Sequence, residues 1–304
     1  MTATELRVGV DIGGTKTEAV LVDAAGAVVE TLRIPTGYGP DEVVASAVRA
    51  VTAVAGDALG DIRSIGVGIP GTVDSATGRV SHAINLGVER LELGHTLTSH
   101  FGMPVRVEND VNAAALGAFH LTGQPATASV GYVNLGTGLA AGLVLRGELW
   151  RGARGAAGEI GHVLVDPLGP LDLDGQRGGL EVVASGSGIA RQWGTGEDNP
   201  VTAVLDAADA GDARAADIRR RLFEGVAAAV RILVLTVDVD HVIIGGGLAK
   251  LGPRLTDGVQ AVIEGWEAQS PFIRSLQLWD RVMVIPSDSP VAALGAAHLG
   301  ALHG

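Results

Sequence analysis

The 304-residue chain contains no cysteine, which excludes a disulfide framework and thiolate metal sites. Lys16 and Lys250 are its only lysines, and no local cluster of Lys and Arg offsets the net charge of −12. That balance argues against a nucleic-acid surface. No apolar run approaches the roughly 20 residues of a membrane span, and nothing at the N-terminus resembles a signal peptide. The expectation is a soluble cytoplasmic protein without a membrane partner. A G-x-x-x-x-G-K-[ST] segment is also missing, so a P-loop is excluded. Arginine, alanine and glycine abound in place of lysine, a bias that reflects a high-G+C genome more than any chemistry.

What the chain does have is a glycine turn between two apolar, strand-like runs. Asp11-Ile12-Gly13-Gly14-Thr15-Lys16-Thr17 is entered from Arg7–Val10 and left along Glu18–Val22. A carboxylate, two glycines and a hydroxyl at a hairpin tip suit a nucleotide phosphate. Glycine lets backbone N–H groups come close to the anion, and an aspartate can hold hydrated magnesium. The arrangement recurs where Val130–Leu135 runs into Gly136-Thr137-Gly138 and out along Leu139–Leu145. Two such turns suggest a pair of phosphate loops. An acidic protein that binds an anionic nucleotide must rely on backbone dipoles, magnesium and a few placed cations.

The length allows two modest α/β domains, each with its own core. Strands are expected at Arg7–Asp11, Glu18–Asp23, Val28–Ile34, Ile62–Ile69 and Val105–Val107. Helices are expected from about Asp41, around Leu93–Phe101 and over Val111–Leu121. Gly123-Gln124-Pro125 is a hinge candidate, after which a strand hairpin begins the second half. A long helix is expected from Ile218 to about Thr236, then a strand at His241–Ile244. Pro253–Glu267 reads as helix, Val282–Ile285 as strand, and Pro290–Leu302 as a closing helix capped by Ser289. Asp198–Asp217 reads as loosely ordered. The layout is that of an actin-like (ribonuclease-H-like) ATPase: two α/β domains with an active-site cleft between them. The expected division is a small domain over 1–121, with the 290–304 helix packing back on it, and a large domain over 122–289. The first glycine turn leads to a strand rather than a helix, so this is not a dinucleotide-binding unit.

Glu108-Asn109-Asp110 closes a short strand and opens a helix, and ligands of α/β folds gather at the carboxyl ends of strands. Phosphoryl transfer to an alcohol needs a base near the hydroxyl and clamps on the phosphates. Asp110 is the candidate base; alternatively, Asn109 or Asp110 only caps the helix. Gly158-Glu159-Ile160-Gly161-His162 is a second polar cluster, although a lone Glu-x-x-His is more often structural. Glu181, on its own, reads as a solvated carboxylate. Gly245-Gly246-Gly247 is either a simple turn or a nucleotide contact.

Six segments occur in the order found in the ROK family of sugar kinases and repressors, which the chain resembles over nearly its whole length. They are Val8–Thr17 (VGVDIGGTKT), Gly68–Asp74 (GIPGTVD), Glu108–Ala115 (ENDVNAAA), Leu135–Gly142 (LGTGLAAG), Ala157–His162 (AGEIGH) and Ile243–Leu248 (IIGGGL). The resemblance implies a hexose 6-kinase using ATP and magnesium, with Asp110 taking the proton from the sugar hydroxyl. It implies sugar contacts from Gly71, Asn109, Asp110, Glu159, His162 and Glu181. Asp11, Gly13, Gly14, Thr15 and Lys16 would surround the phosphates on one side, with Asp11 near magnesium through water. Gly136, Thr137 and Gly138 would do so on the other, and Gly246 and Gly247 would flank the nucleoside. A homodimer is implied as well. The repressors of the family carry a helix-turn-helix segment ahead of the kinase-like part, and here the first strand is reached by about Arg7. A regulator or a silent sugar-binding protein is the alternative reading.

The chain departs from the family where most members carry a zinc loop of Gly-His followed by C-x-C-G-x-x-G-C-x-E. His162 and Glu181 remain, but the thiolate positions are Asp172, Asp174 and Gly179. Structural zinc wants four ligands, usually with sulfur, so no zinc is expected. His162 is then free to pair with Asp172 or Asp174. Ala140 and Ala141 replace the usual glycines of the second loop. Carboxylates near the sugar pocket would favour a substrate bearing an ammonium group. In this the chain resembles amino-sugar kinases of antibiotic pathways such as kanosamine kinase; alternatively, the aspartates merely solvate a loop.

Overall fold

The structure, a computed structural model, describes residues 5–172, 175–194 and 196–300. The chain divides into two compact units. The first runs up to Ala126 and includes Gly142–Ala157 and the stretch from Pro290; the second comprises Thr127–Ala141 and Gly158–Ser289.

In the first unit, β1 (Leu6–Ile12) and β2 (Lys16–Val22) form the glycine hairpin, and β3 (Val28–Pro35) extends it. Next come α1 (Pro40–Ala55), β4 (Ile62–Ile69) and a three-stranded ribbon of β5 (Thr72–Asp74), β6 (Arg79–Ala83) and β7 (Val88–Leu91). After α2 (Leu93–Phe101), β8 (Val105–Asn109) leads directly into α3 (Asp110–Leu121). The sheet order is β3-β2-β1-β4-β8, with antiparallel pairing on the hairpin side and parallel pairing of β1, β4 and β8. Parallel neighbours bring the carboxyl ends of β1, β4 and β8 to one edge, and these strands carry Asp11, Gly71 and Asn109-Asp110 at or just past their ends.

The core of this unit comes from the inward residues of the strands and one face of α1: Val8, Val10, Ile65, Val67, Val43 and Val51 are fully buried. By length and mean composition alone, Pro40–Asp61 would pass as a membrane-spanning segment, although it carries five charged residues. Its buried residues Val43, Ala47, Ala50, Val51 and Val54 instead serve this core.

The second glycine turn lies in the second unit, between β9 (Val130–Leu135) and the start of β10 (Leu139–Leu145); β10 from Gly142 onward and β11 (Glu148–Trp150), which pairs with it, belong to the first unit. Five helices follow or intervene before the chain closes: α4 (Leu180–Ala184), α5 (Gly186–Trp193), α6 (Pro200–Asp209), α7 (Ala213–Val237) and, after β12 (His241–Gly245), α8 (Pro253–Gln269). A short α9 (Pro271–Ser275) and β13 (Val282–Val284) complete it. The strand order β11-β10-β9-β12-β13 repeats the pattern of the first sheet: an antiparallel meander followed by parallel additions.

Three sequence expectations are corrected. Residues 198–217 are not loosely ordered: α6 starts with Pro200 in its first turn, where a missing N–H costs nothing, and α7 starts earlier than Ile218. Asp212 caps α7 by accepting from Ala215 N–H at 2.8 Å. Ser289 does not cap the final helix, α10 (Val291–Leu299); Pro290 occupies the cap position, with no side-chain hydrogen bond.

Helix α10 packs on β1, β4 and α3 at backbone distance. A Cβ on Gly295 would fall 1.7 Å from the Ala113 carbonyl oxygen, and one on Gly117 would fall 1.9 Å from that of Val291. Only glycine permits this approach, and it fixes α3, the helix that begins with Asp110.

Candidate active site

In the first unit, the hairpin turn is closed by Gly13 N–H donating to the Lys16 carbonyl at 2.9 Å. That amide is committed to the turn rather than available to an anion. The Thr15 carbonyl accepts from Thr36 N–H at 3.1 Å, and Gly14, Thr15 and Lys16 are exposed. Asp11 lies opposite Glu18 in the hairpin register and beside Gly68 of β4. Its carboxyl is pushed up to about 7, first by burial, then by the charges of Asp110 and Glu18, against a lowering contribution from Lys16. Glu18 is buried and paired with Arg33 at 2.5 Å. Asp11 and Asp110 thus share one electrostatic environment.

The turn at the start of α3 separates capping from chemistry. Asn109 is the cap: its Oδ1 accepts from Val111 N–H at 3.0 Å and Asn112 N–H at 3.2 Å. Its Nδ2 donates to the Gly71 carbonyl at 3.2 Å. Gly71 has φ +99°, and a Cβ there would lie 2.7 Å from the Ser81 carbonyl oxygen, so the turn that presents this carbonyl needs glycine. Asp110 is the first residue inside the helix, partly exposed, and a carboxylate at that position complements the helix dipole.

Behind it sits a group that sequence reasoning left without a role. Glu108 is 2% exposed. Its Oε1 accepts from Asn109 N–H and from Asn112 Nδ2, both at 3.0 Å, and its Oε2 accepts from Arg151 Nε at 2.6 Å. Glu108 was visible in the Glu-Asn-Asp run; Arg151, 43 positions away, had no local signal.

In the second unit, Gly136 N–H donates to the Gly138 carbonyl at 3.0 Å, closing a turn one residue tighter than the first. Gly246 has φ +87°, and a Cβ there would lie 2.7 Å from the Leu135 carbonyl oxygen; one on Gly136 would lie 3.8 Å from Gly247 N. The two glycine segments are therefore neighbours. They border a cavity of about 280 Å³ lined also by Thr137, Ser187, Asn199 and Lys250. Sequence reasoning missed these last three. Lys250 was identifiable as one of only two lysines, while Asn199 fell in the segment misread as loose.

Glu159 and His162 are exposed and flank a short 3₁₀ turn at Ile160–His162, while Glu181 is half-buried at the start of α4. Glu181 Oε2 accepts from Leu139 N–H at 2.9 Å, so it is not merely a solvated carboxylate. His162, Asp172 and Glu181 line one cavity of about 480 Å³ together with Arg177 and Arg191. The Asp172 carboxylate accepts from Gln176 N–H at 2.7 Å. Asp174 lies outside the described residues. Among the described residues, no cluster of three or more His, Asp or Glu could hold a metal ion.

The ROK family model matches residues 7–300. A glucokinase of Halalkalibacterium halodurans is 32% identical over 287 residues, covering 85% of each chain. The crystal structure of a ROK hexokinase from Thermus thermophilus superposes with a TM-score of 0.80 at 29% identity, covering 98% of each chain. A ROK family glucokinase from Streptomyces griseus, solved in complex with glucose and AMPPNP, gives 0.74 at 29% identity over 97% of this chain and 99% of that one. The architecture is the actin-like ATPase fold these structures share. Glucokinase-like in sequence and in fold over nearly all of its length, the chain belongs to the ROK family.

Proposed function

We propose that this protein is an ATP- and magnesium-dependent kinase that phosphorylates the 6-hydroxyl of a glucose-type hexose. The observation that carries the reading is geometric: parallel β1, β4 and β8 bring Asp11 of the glycine hairpin and Asp110, a partly exposed carboxylate at the start of α3, to one edge of a single sheet. A base and a phosphate-side carboxylate in one electrostatic environment are what phosphoryl transfer to an alcohol requires.

In this reading, Asp110 accepts the hydroxyl proton as the sugar oxygen bonds to the γ-phosphorus and the bond to the β-phosphate oxygen breaks. Asn109, Glu159, His162 and Glu181 hydrogen-bond the other hydroxyls, with Gly71 alongside; such groups reject analogues that leave them unpaired. Gly13, its amide spent on the turn, shapes the loop rather than binding the anion, while Gly14, Thr15 and Lys16 hold the phosphates from the hairpin. Gly136, Thr137 and Gly138 do so from the second loop, and Gly246 and Gly247 border the nucleoside. The partly buried Asp11, crowded by Asp110 and Glu18, fits a divalent cation. Asp11 would hold magnesium through water, and the ion would offset charge on the phosphates. By resemblance to the family, the working assembly is a homodimer.

An amino-hexose such as kanosamine is the second acceptor reading, favoured by Asp172 at the cavity below His162. Arg177 and Arg191 line the same cavity and oppose the attraction for an ammonium group, so glucose leads. The regulator reading has no comparable support: the net charge of −12 disfavours a DNA partner.

A coupled ADP-release assay over a panel of hexoses and amino-hexoses tests the proposal. Magnesium-dependent turnover of glucose, with phosphate on the 6-hydroxyl by NMR, is the expected outcome. Better turnover of kanosamine than of glucose would shift the assignment to the amino sugar. No turnover of any hexose would sink it.

A further inference from the structure

Glu181 is assigned above to the sugar, yet one of its carboxylate oxygens is bonded to the second phosphate loop. Oε2 accepts from Leu139 N–H at 2.9 Å, and an ideal Cβ on Gly138 would fall 2.6 Å from that same oxygen. The stretch of chain that follows Glu181 holds the other end of the loop. Gly186 N–H donates to the Gly136 carbonyl, and Ser187 N–H to the Thr137 carbonyl, both at 2.9 Å.

Between these two grips the chain is locally fixed. Ser185 N–H donates to the Glu181 carbonyl at 3.0 Å, and the Ser185 hydroxyl caps α5 by accepting from Gly188 N–H at 3.0 Å. Gly161 brings in the third segment. A Cβ there would fall 2.3 Å from the Leu139 carbonyl oxygen and 3.2 Å from Glu181 Cβ, so the Glu159–His162 turn lies directly against both. Ala141 N–H donates to the Gly158 carbonyl at 2.8 Å at the start of that turn. All these contacts lie within the second unit.

We infer that Glu181 is a positioning residue that couples acceptor binding to the geometry of the Gly136–Gly138 phosphate loop. The inference rests on the hexose-kinase reading of the site. A carboxylate is planar, so its two oxygens cannot be placed independently. A sugar hydroxyl donating to Oε1 orients Oε2, and Oε2 orients Leu139 N–H and the turn before it. Nucleotide and sugar then bind each other's preferred loop geometry, and linkage requires the effect to be reciprocal. The same device holds the loop less well aligned when water alone occupies the acceptor position.

The test uses the full-length protein and calorimetric binding of a non-hydrolysable ATP analogue with magnesium, with and without saturating glucose. Wild type should bind the analogue about 5–150-fold more tightly when glucose is present, the usual range for such coupling. Two variants probe the link. Glu181→Ala removes the planar group and with it both contacts. Gly138→Ala leaves Glu181 intact but drives its carboxylate off Leu139 N–H, and a flexible side-chain end can yield without unfolding the loop. In both, the ratio should fall towards one, and thermal denaturation confirms that each is folded. Gly138→Ala should still bind glucose, which separates loss of coupling from loss of the sugar site. A wild-type ratio near one in an enzyme that turns over glucose overturns the coupling alone. So does a wild-type ratio retained by Gly138→Ala. A wild-type protein that neither binds nor phosphorylates a hexose overturns the kinase reading and the coupling with it.

Discussion

Arg151 Nε lies 2.6 Å from Glu108 Oε2, on a carboxylate whose side chain is only 3% exposed and whose other oxygen holds the backbone of Asn109. The ion pair thus supports the turn that presents Asp110. Replacing Arg151 by Met leaves a buried charge without its partner. Arg151 is itself about one-third exposed, which discounts the loss to about 1–3 kcal/mol. Thermal denaturation should show a melting temperature lower by several degrees, and kcat should fall more than KM rises. An unchanged melting temperature would mean that the pair holds nothing in place.

Asp110→Asn keeps the shape of the turn and the Asn109 cap while removing the proposed base. Turnover should drop by about 10²–10⁴-fold, the range ascribed to general-base catalysis, with glucose affinity by calorimetry largely preserved. Near-normal turnover would show that another group takes the proton.

His298 stacks on His120 with ring centroids 3.7 Å apart and planes 11° from parallel, joining α10 to the end of α3. Burial, then His120 and Arg7, push His298 down to about 3 from 6.5. Between those values the unfolded chain binds a proton that the folded one refuses. Stability should therefore fall as pH drops from 6.5 towards 3. Urea midpoints for wild type and His298→Phe should converge in slope at neutral pH and diverge on acidification, the variant losing less. Parallel acid limbs would exclude His298 as a source.

Asp11 has the opposite sign. Its folded value of about 7 lies above the ordinary 3.8, so the folded state binds the extra proton. That contribution is complete below 3.8 and is lost as pH rises through 7. Asp11→Asn should flatten this dependence, making the ligand-free protein more stable than wild type at mildly alkaline pH while impairing magnesium-dependent turnover. A variant less stable than wild type at alkaline pH would mean that the carboxylate is compensated in some other way.

Elemental analysis of the purified protein should find sub-stoichiometric zinc, because the thiolate positions of the family's zinc loop are Asp172, Asp174 and Gly179 and structural zinc favours sulfur. Chelation followed by addition of magnesium should restore full activity. Stoichiometric zinc would overturn this.

Much of the local structure was legible because its causes are local. The Gly13-Gly14 turn between two apolar runs specifies a hairpin, and the Asn109-Asp110 pair after a strand specifies a helix start. The error over residues 198–217 had a local remedy, since Asn199-Pro200 and Asp212 are helix-start signals that a polar, alanine-rich stretch obscured. Asn109 and Asp110 could not be told apart by position, because capping depends on backbone angles that adjacent residues exchange with a one-residue shift.

Sequence order alone determined the family, the two glycine turns and the residue types available for a base and for hydroxyl contacts. Tertiary structure decided what each side chain is bonded to. Arg151 reaches Glu108 across 43 positions and Leu139 reaches Glu181 across 42, separations that leave no periodicity or turn signal to read. Those contacts exist because folding sets distant segments side by side: the residue after β11 against the end of β8, and the first residue of β10 against the start of α4. Whether a carboxylate is a solvated charge, a cap or a brace is a property of that packing.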